Sequence, residues 1–131
     1  MKILIAEDDR ISRTFMEKFL SAYGECDVAV NGLEAVDAYL AALKKADPYQ
    51  LICLDIMMPK LDGLKVLKTI REIEKQQNIG DKSRVKIIMT TAINDSYTVL
   101  SAYDSGCEAY AWKPIEREKF ILVLKKLGLI D

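Results

Sequence analysis

Residues 51–59 read LICLDIMMP, an apolar run that contains one acid, Asp55, and stops at Pro59. Four successive apolar residues without alternation are typical of a parallel strand that is covered on both faces. Two similar runs, ILIA at 3–6 and VKIIM at 85–89, occur elsewhere in the chain. We therefore predict that these three segments are central strands of a parallel sheet. A carboxylate directly after such a strand is costly to bury, so it either points to water or belongs to a site that needs an acid.

Strands and helices alternate along the rest of the chain. The runs CDVAV at 26–30 and AYAW at 109–112 alternate more strongly, which is typical of strands near a sheet edge. Apolar residues at helical spacing lie between the runs, beginning with Ile11, Phe15, Phe19 and Leu20. This order predicts an α/β fold, a (βα)5 doubly wound domain with five parallel strands and helices on both faces. We predict a single domain over 1–131 without an output domain, and a frayed helix end with a loop at 72–84.

Composition excludes several classes of function. The formal net charge of −1 does not favour nucleic acid or membranes as partners, and no apolar run approaches the length of about 20 residues that spans a bilayer. We therefore expect a cytoplasmic protein. The three cysteines are widely spaced, which favours reduced thiols over disulfides or metal ligands. Histidine is absent, which excludes imidazole catalysis and the usual zinc sites.

Polar residues follow four of the five predicted strands. These residues are the acidic run at 7–9, Asp55, the threonine pair at 90–91, and Lys113 before Pro114. Each feature alone is ordinary, since acids and threonines at strand ends usually contact water or backbone. In doubly wound sheets, however, the carboxyl ends of the strands carry the chemistry, and strands one and three are neighbours in most of them. Converging carboxylates repel one another and require a cation, and hard oxygen ligands with room for water suit Mg²⁺.

Four motifs in order carry a family resemblance. The segments IAEDD, LDIMMPKLDG, MTTA and WKP, spread over residues 2–127, make the chain similar to the receiver domain of two-component response regulators. The resemblance implies the flavodoxin-like strand order 2-1-3-4-5. It also implies that Asp55 accepts a phosphoryl group from a phosphohistidine of a sensor histidine kinase or a histidine phosphotransfer protein.

The resemblance assigns roles to individual residues. Asp55 would be the nucleophile, and Lys113 and Thr91 would hold the phosphoryl oxygens. The Mg²⁺ ligands would be Asp8, Asp55, the backbone carbonyl of Met57 and, through water, Glu7. Asp9 and Thr90 lie one position outside the matched residues, so we expect Asp9 at the surface and Thr90 to point away from Thr91. The Lys113–Pro114 bond is expected to be cis.

The resemblance also implies a conformational switch. Thr91 would move toward the phosphoryl group and Tyr110 would follow, which would change the face formed by helix four, strand five and helix five. Strand alternation places Tyr110 and Trp112 on one side, opposite Lys113. Without an output domain, the protein would act by binding a downstream target protein, and it would catalyse only its own phosphorylation and slow dephosphorylation.

Other functions remain open from the residues. The chain could be a phosphorelay intermediate that passes the phosphoryl group to a histidine phosphotransfer protein. A metal-dependent phosphohydrolase would need a second acid two residues after Asp55, where Met57 stands. A flavodoxin-like electron carrier would need a phosphate-binding loop where the acidic run 7–9 stands. An interaction module that has lost phosphorylation is a further alternative.

Overall fold

The computed structural model describes residues 1–131 and contains five strands and five helices in alternation. The strands are β1 (Lys2–Ala6), β2 (Glu25–Ala29), β3 (Leu51–Leu54), β4 (Lys86–Thr91) and β5 (Ala109–Trp112). The helices are α1 (Arg10–Leu20), α2 (Gly32–Lys44), α3 (Gly63–Gln76), α4 (Ser96–Asp104) and α5 (Arg117–Lys126). A short 3-10 helix, Asp81–Ser83, precedes β4.

The five strands form one parallel sheet in the order β2-β1-β3-β4-β5, which confirms the predicted fold class. Strand β1 pairs with β3 so that Ala6 lies beside Leu54. Strand β3 pairs with β4 so that Leu54 lies beside Met89. All five strands therefore end at the same edge of the sheet, and this edge receives the residues that follow each strand.

Two apolar cores cover the two faces of the sheet. Alternation along β3 sends Leu51 and Cys53 to the side of α1 and α5, and Ile52 and Leu54 to the opposite side. The α1/α5 side packs Met16 and Phe120 against the strands, whereas α2, α3 and α4 cover the other side. Because every central strand is buried on both faces, its sequence lacks a polar alternation.

Side-chain caps set where the helices begin. Asn31, Asp62 and Asp95 each accept a hydrogen bond from the backbone N–H three residues on, at 2.9 Å, 3.1 Å and 2.9 Å. Asp9 caps α1 in the same way through the amide of Ser12 at 2.9 Å. Such caps satisfy helix N–H groups that lack an intrahelical partner. Four helices therefore start at defined residues close to the carboxyl edge of the sheet.

Two features of the helices do not follow from apolar spacing alone. The apolar stripe of α1 is not wholly internal, because Ile11 is 81% exposed and Phe15 is 43% exposed. The first turns of α1 lie at the edge where the strands end, so no strand covers them. In the segment 72–84, where the sequence predicts a frayed helix end and a loop, α3 continues to Gln76 with Glu74 buried, and a loop with a 3-10 helix at Asp81–Ser83 follows.

All three cysteines are free thiols, with Cys53 and Cys107 buried and Cys26 partly buried. No helix combines the length and the apolar character needed to cross a bilayer.

Candidate phosphoryl-acceptor site

The candidate site is built from residues that directly follow strands. Glu7 follows β1, Asp55 follows β3, and Lys113 follows β5, while Thr91 is the last residue of β4. The ladder continues one residue beyond β3, because the Asp55 amide donates to the Ala6 carbonyl at 3.0 Å. The parallel sheet therefore brings together side chains that are up to 106 residues apart in the chain.

Three carboxylates meet at this edge. Single oxygens of Glu7, Asp8 and Asp55 all lie within 4.8 Å of one another. Glu7 and Asp55 are buried, whereas Asp8 is exposed, so the cluster opens to solvent on the side of Asp8. Like charges at this separation repel by several kcal/mol at an effective dielectric constant of about 20.

Lys113 is the one cation paired with this cluster. Its Nζ atom contacts Asp55 Oδ2 at 3.1 Å and also contacts Glu7 Oε1. Burial alone would lower the pKa of the Lys113 ammonium, but the two carboxylates outweigh it and the pKa is raised. The lysine is therefore charged, and three acids share a single positive side chain.

Glu7 is the most constrained member of the cluster. Burial raises the pKa of its carboxyl from 4.5 to about 7, although Lys113 and the backbone N–H of Asp9 oppose the shift. The Asp9 amide donates to Glu7 Oε2 at 3.1 Å. The other oxygen, Oε1, touches Lys113 but accepts no aligned hydrogen bond. A fully buried carboxylate oxygen without a hydrogen bond is costly and calls for a further positive partner.

The donor set fits a magnesium ion. Three clustered carboxylates, one of them with an unsatisfied oxygen and one exposed, offer hard oxygen ligands and leave room for water. Cysteine and histidine, which soft or borderline metals prefer, contribute nothing to this cluster. The predicted contribution of the Met57 carbonyl stays a prediction; the Met57 amide donates to Asp55 Oδ1 at 3.4 Å and its side chain is exposed.

The predicted switch residues are connected by hydrogen bonds. The buried Thr91 hydroxyl accepts from the Ile93 amide at 3.3 Å, and the Ile93 carbonyl accepts from the Tyr110 hydroxyl at 2.5 Å. The Tyr110 ring lies 5.1 Å from that of Trp112, as expected for residues on one side of β5. Tyr110 is buried and burial raises the pKa of its phenol to about 12, whereas Trp112 is 49% exposed.

Sequence reasoning missed the contacts of Arg13 and the capping role of Asp9. The Arg13 guanidinium donates to the backbone carbonyls of Glu7 and Asp8, at 3.0 Å and 3.3 Å, and so holds the acidic turn in place. Asp9 is exposed, as predicted, but it also caps α1. The position of Arg13, one helical turn after Asp9, was the available signal. The predicted cis bond between Lys113 and Pro114 is present.

Comparison with known proteins gives a consistent result. Residues 3–125 match the family described as the response regulator receiver domain. Hybrid signal transduction histidine kinase L of Dictyostelium discoideum is 35% identical over 130 residues, which cover 97% of this chain and 7% of the kinase. The chain thus spans a small fraction of the full-length histidine kinases that it matches.

Solved structures show the same fold. The receiver domain of Ssk1 in its co-crystal structure with the histidine phosphotransfer protein Ypd1 of Saccharomyces cerevisiae is 30% identical, with a TM-score of 0.82 and coverage of 99% of this chain and 92% of that one. CheY in the CheX-CheY-BeF3-Mg complex of Borrelia burgdorferi has a TM-score of 0.84 at 24% identity, with coverage of 98% and 89%. The family match, the strand order and the acidic edge agree, and the chain belongs to the response regulator receiver domain family of two-component signalling systems.

Proposed function

We propose that this protein is a phosphorylation-activated signalling switch in which Asp55 accepts a phosphoryl group from a phosphohistidine of a partner protein. One observation carries the proposal: Glu7, Asp8 and Asp55 cluster within 4.8 Å at the carboxyl edge of the sheet, with Lys113 contacting Asp55. The protein is a switch and does not turn over a separate substrate.

Asp55 is the nucleophile of the proposed transfer. One of its carboxylate oxygens forms the bond to phosphorus while the bond from phosphorus to the donor imidazole breaks. Lys113 and Thr91 hold the phosphoryl oxygens, and this positioning stabilises the charge that moves in the transition state. The missing histidine is no obstacle, because the donor imidazole belongs to the partner.

Asp8, Asp55 and the Met57 carbonyl would hold Mg²⁺, with Glu7 acting through water. When bound, the ion supplies charge neutralisation for the phosphoryl oxygens. With all three carboxylates ionised, they and Lys113 carry a net charge of about −2 at the edge, which a divalent cation cancels. An anionic phosphoryl donor can then approach without repulsion.

The proposed partners are a sensor histidine kinase or a histidine phosphotransfer protein, and a downstream target protein. Around Lys113 and Pro114, the exposed side chains of Ile11 and Phe15 line an apolar depression next to the site. Exposed apolar patches of this kind commonly bind other proteins. The target would bind the face formed by α4, β5 and α5, where Tyr97, Leu100 and Trp112 are exposed.

A phosphorelay intermediate is the second candidate function. The receiver domain of Ssk1, which is similar to this chain, is seen in complex with a histidine phosphotransfer protein, and this supports a relay function. In a relay, the phosphoryl group would pass from Asp55 onward to a histidine instead of staying to signal. Incubating phosphorylated protein with a histidine phosphotransfer protein and following loss of the adduct separates the two functions.

The deciding experiment measures intact mass after incubation with acetyl phosphate and Mg²⁺. We expect a single adduct of about 80 Da, the mass of one phosphoryl group, because one nucleophile attacks one phosphorus atom. The adduct should be absent in Asp55→Asn and should not form when Mg²⁺ is removed with a chelator. Asp104→Asn, at the end of α4, is the matched control and should behave as wild type.

Failure of folded wild-type protein to form the adduct, with a phosphohistidine donor also failing, would contradict the proposal. The chain would then be an interaction module. An adduct that persists in Asp55→Asn would place the acceptor at another residue.

A further inference from the structure

Thr90 carries a buried hydroxyl without a hydrogen-bond partner. Its side chain is 0% exposed, and Oγ1 makes no hydrogen bond to any group of the protein. Leaving a buried hydroxyl unpaired is unfavourable, and valine would fill nearly the same space without that cost. The presence of a hydroxyl at this position therefore requires an explanation.

The strand register places Thr90 beside the proposed nucleophile. Leu54 lies next to Met89 in the pairing of β3 with β4, so the next residues along the same register are Asp55 and Thr90. Thr90 in turn lies next to Ala111 of β5. Adjacent strands are about 4.8 Å apart, which brings the two side chains within reach if they share a face.

The two side chains do share a face. Cys53 and Ile88, two residues before Asp55 and Thr90, both pack in the core on the side of α1 and α5. Alternation along a strand then turns Asp55 and Thr90 to that same side. Thr91 points to the opposite side, as predicted.

Lys113 has to cross β4 to reach its partners. It follows β5, while Asp55 follows β3 and Glu7 follows β1, so β4 with Thr90 lies between Lys113 and both acids. In the proposed transfer, Lys113 pairs with the phosphoryl oxygens and gives up its contact with Asp55 Oδ2. Oδ2 of the buried Asp55 carboxylate then lacks a hydrogen-bond donor, since the Met57 amide contacts the other oxygen, Oδ1.

We propose that Thr90 is a positioning residue for the nucleophile: its hydroxyl donates a hydrogen bond to the Asp55 carboxylate when Lys113 turns to the phosphoryl donor. This inference rests on the proposed function. Rotation about the Cα–Cβ bond moves the Thr90 hydroxyl between staggered positions, and the hydroxyl can donate one hydrogen bond. The bond would keep the carboxylate oriented for in-line attack.

The test compares Thr90→Val, which removes the hydroxyl at nearly constant volume, with Thr90→Ser, which keeps it. The measured quantity is the initial rate of phosphoryl adduct formation with acetyl phosphate and Mg²⁺, read by intact mass. We expect Thr90→Val to be slowed about tenfold, the effect of losing one hydrogen bond to a charged group. Thr90→Ser should stay within about twofold of wild type. Thr69→Val, which loses a hydroxyl bound to the Lys65 carbonyl on α3, should be unchanged.

Magnesium affinity provides a second readout. Thr90→Val should bind Mg²⁺ as wild type does, because before the transfer Lys113 still pairs with Asp55 and the proposed bond from Thr90 has not formed. An unchanged rate in Thr90→Val would overturn the inference. Equal slowing of Thr90→Val and Thr90→Ser would also overturn it, and so would a tenfold loss of Mg²⁺ affinity in Thr90→Val. Wild-type protein that accepts no phosphoryl group would overturn the proposed function itself, and this inference with it.

Discussion

Glu7 shows how one buried side chain can oppose folding and still serve a site. It follows an entirely apolar stretch of β1, where its side chain is 0% exposed and lies next to two other acids. The free energy needed to keep it charged is offset in part by Lys113 and the Asp9 amide. The carboxylates in such a cluster repel one another, and binding of a cation reduces this repulsion.

The raised pKa of Glu7 should make the stability of the protein depend on pH. This pKa is about 7 in the folded protein against 4.5 ordinarily, so the folded state binds more protons between these values. Stability from this group is complete below about pH 4.5 and is lost as pH rises through 7. In Mg²⁺-free buffer, the unfolding free energy of wild type minus that of Glu7→Gln should fall from pH 5 to pH 8, by at most about 3 kcal/mol. Urea denaturation at both pH values measures it, and a difference that is constant or rises would contradict the prediction.

The contact between α3 and the end of β3 holds the acceptor backbone. Gly63, the first residue of α3, donates its N–H to the Ile56 carbonyl at 2.9 Å. A Cβ atom at Gly63 would lie 2.1 Å from the Asp55 carbonyl oxygen. This close approach requires glycine and couples the start of α3 to the position of Asp55.

Gly63→Ala should therefore damage both stability and reactivity. Because the clash is with backbone, we expect a loss of about 1–3 kcal/mol of unfolding free energy and slower adduct formation. Gly80→Ala is the matched control, since nothing lies within 4 Å of its Cβ position. Urea denaturation and intact mass provide the two measurements, and equal behaviour of both variants would refute the coupling.

The far end of α3 is joined to β4 and β5 by a buried ionic network. Arg71 donates to the Gly106 carbonyl and to the Val85 carbonyl, both at 2.9 Å, and pairs with Glu74 and Glu108 at 2.7 Å and 2.9 Å. Glu74 and Glu108 also accept from backbone N–H groups at the start of β4. One arginine thus connects three elements at the edge opposite the site.

Arg71→Met should be strongly destabilising. It leaves two mostly buried carboxylates without their main cation, which typically costs about 3–5 kcal/mol. Arg84→Met removes a more exposed arginine whose single contact with Glu108 is 3.3 Å, and it should cost less than about 1 kcal/mol. The midpoints of urea denaturation rank the two variants, and a similar loss in both would contradict this assignment.

At the scale of the whole domain, a short series of contacts connects the site to the proposed signalling face. Thr91 bonds to the Ile93 amide, the Ile93 carbonyl bonds to Tyr110, and the Tyr110 ring packs beside Trp112. A movement of Thr91 toward a phosphoryl group would disturb this chain of contacts. The exposed indole lies at its far end.

Trp112 should therefore report phosphorylation. It is the sole tryptophan, so tryptophan fluorescence, excited at a wavelength that the six tyrosines do not absorb, reports this position alone. We expect an intensity or wavelength change on phosphorylation in Mg²⁺, a smaller change in Tyr110→Phe, which lacks the bond to Ile93, and none in Asp55→Asn. If the protein is fully phosphorylated and its fluorescence is unchanged, phosphorylation of Asp55 does not alter the surroundings of Trp112 through these contacts.

Local sequence determined much of this molecule. The unbroken apolar runs before Asp55 and Glu7 specify strands buried on both faces, because a parallel sheet covered by helices leaves no polar side. Asn31, Asp62 and Asp95 are residue types typical of helix starts, and each caps a helix here by accepting from a free backbone N–H group. These local rules, together with four separated motifs, were enough for the fold, the strand order and the family.

Tertiary structure alone decided which groups meet and how much free energy their burial requires. Strand register and contacts between distant segments determine four features that the sequence does not contain. These are the burial of Glu7, the reach of Lys113 across β4, the position of Thr90 beside Asp55 and the network around Arg71. Ile11 belongs to the apolar pattern of α1 but is exposed, because a helical pattern does not state where the sheet beneath it ends. Side-chain type and spacing are local properties, whereas dielectric environment and partner distance are properties of the folded chain.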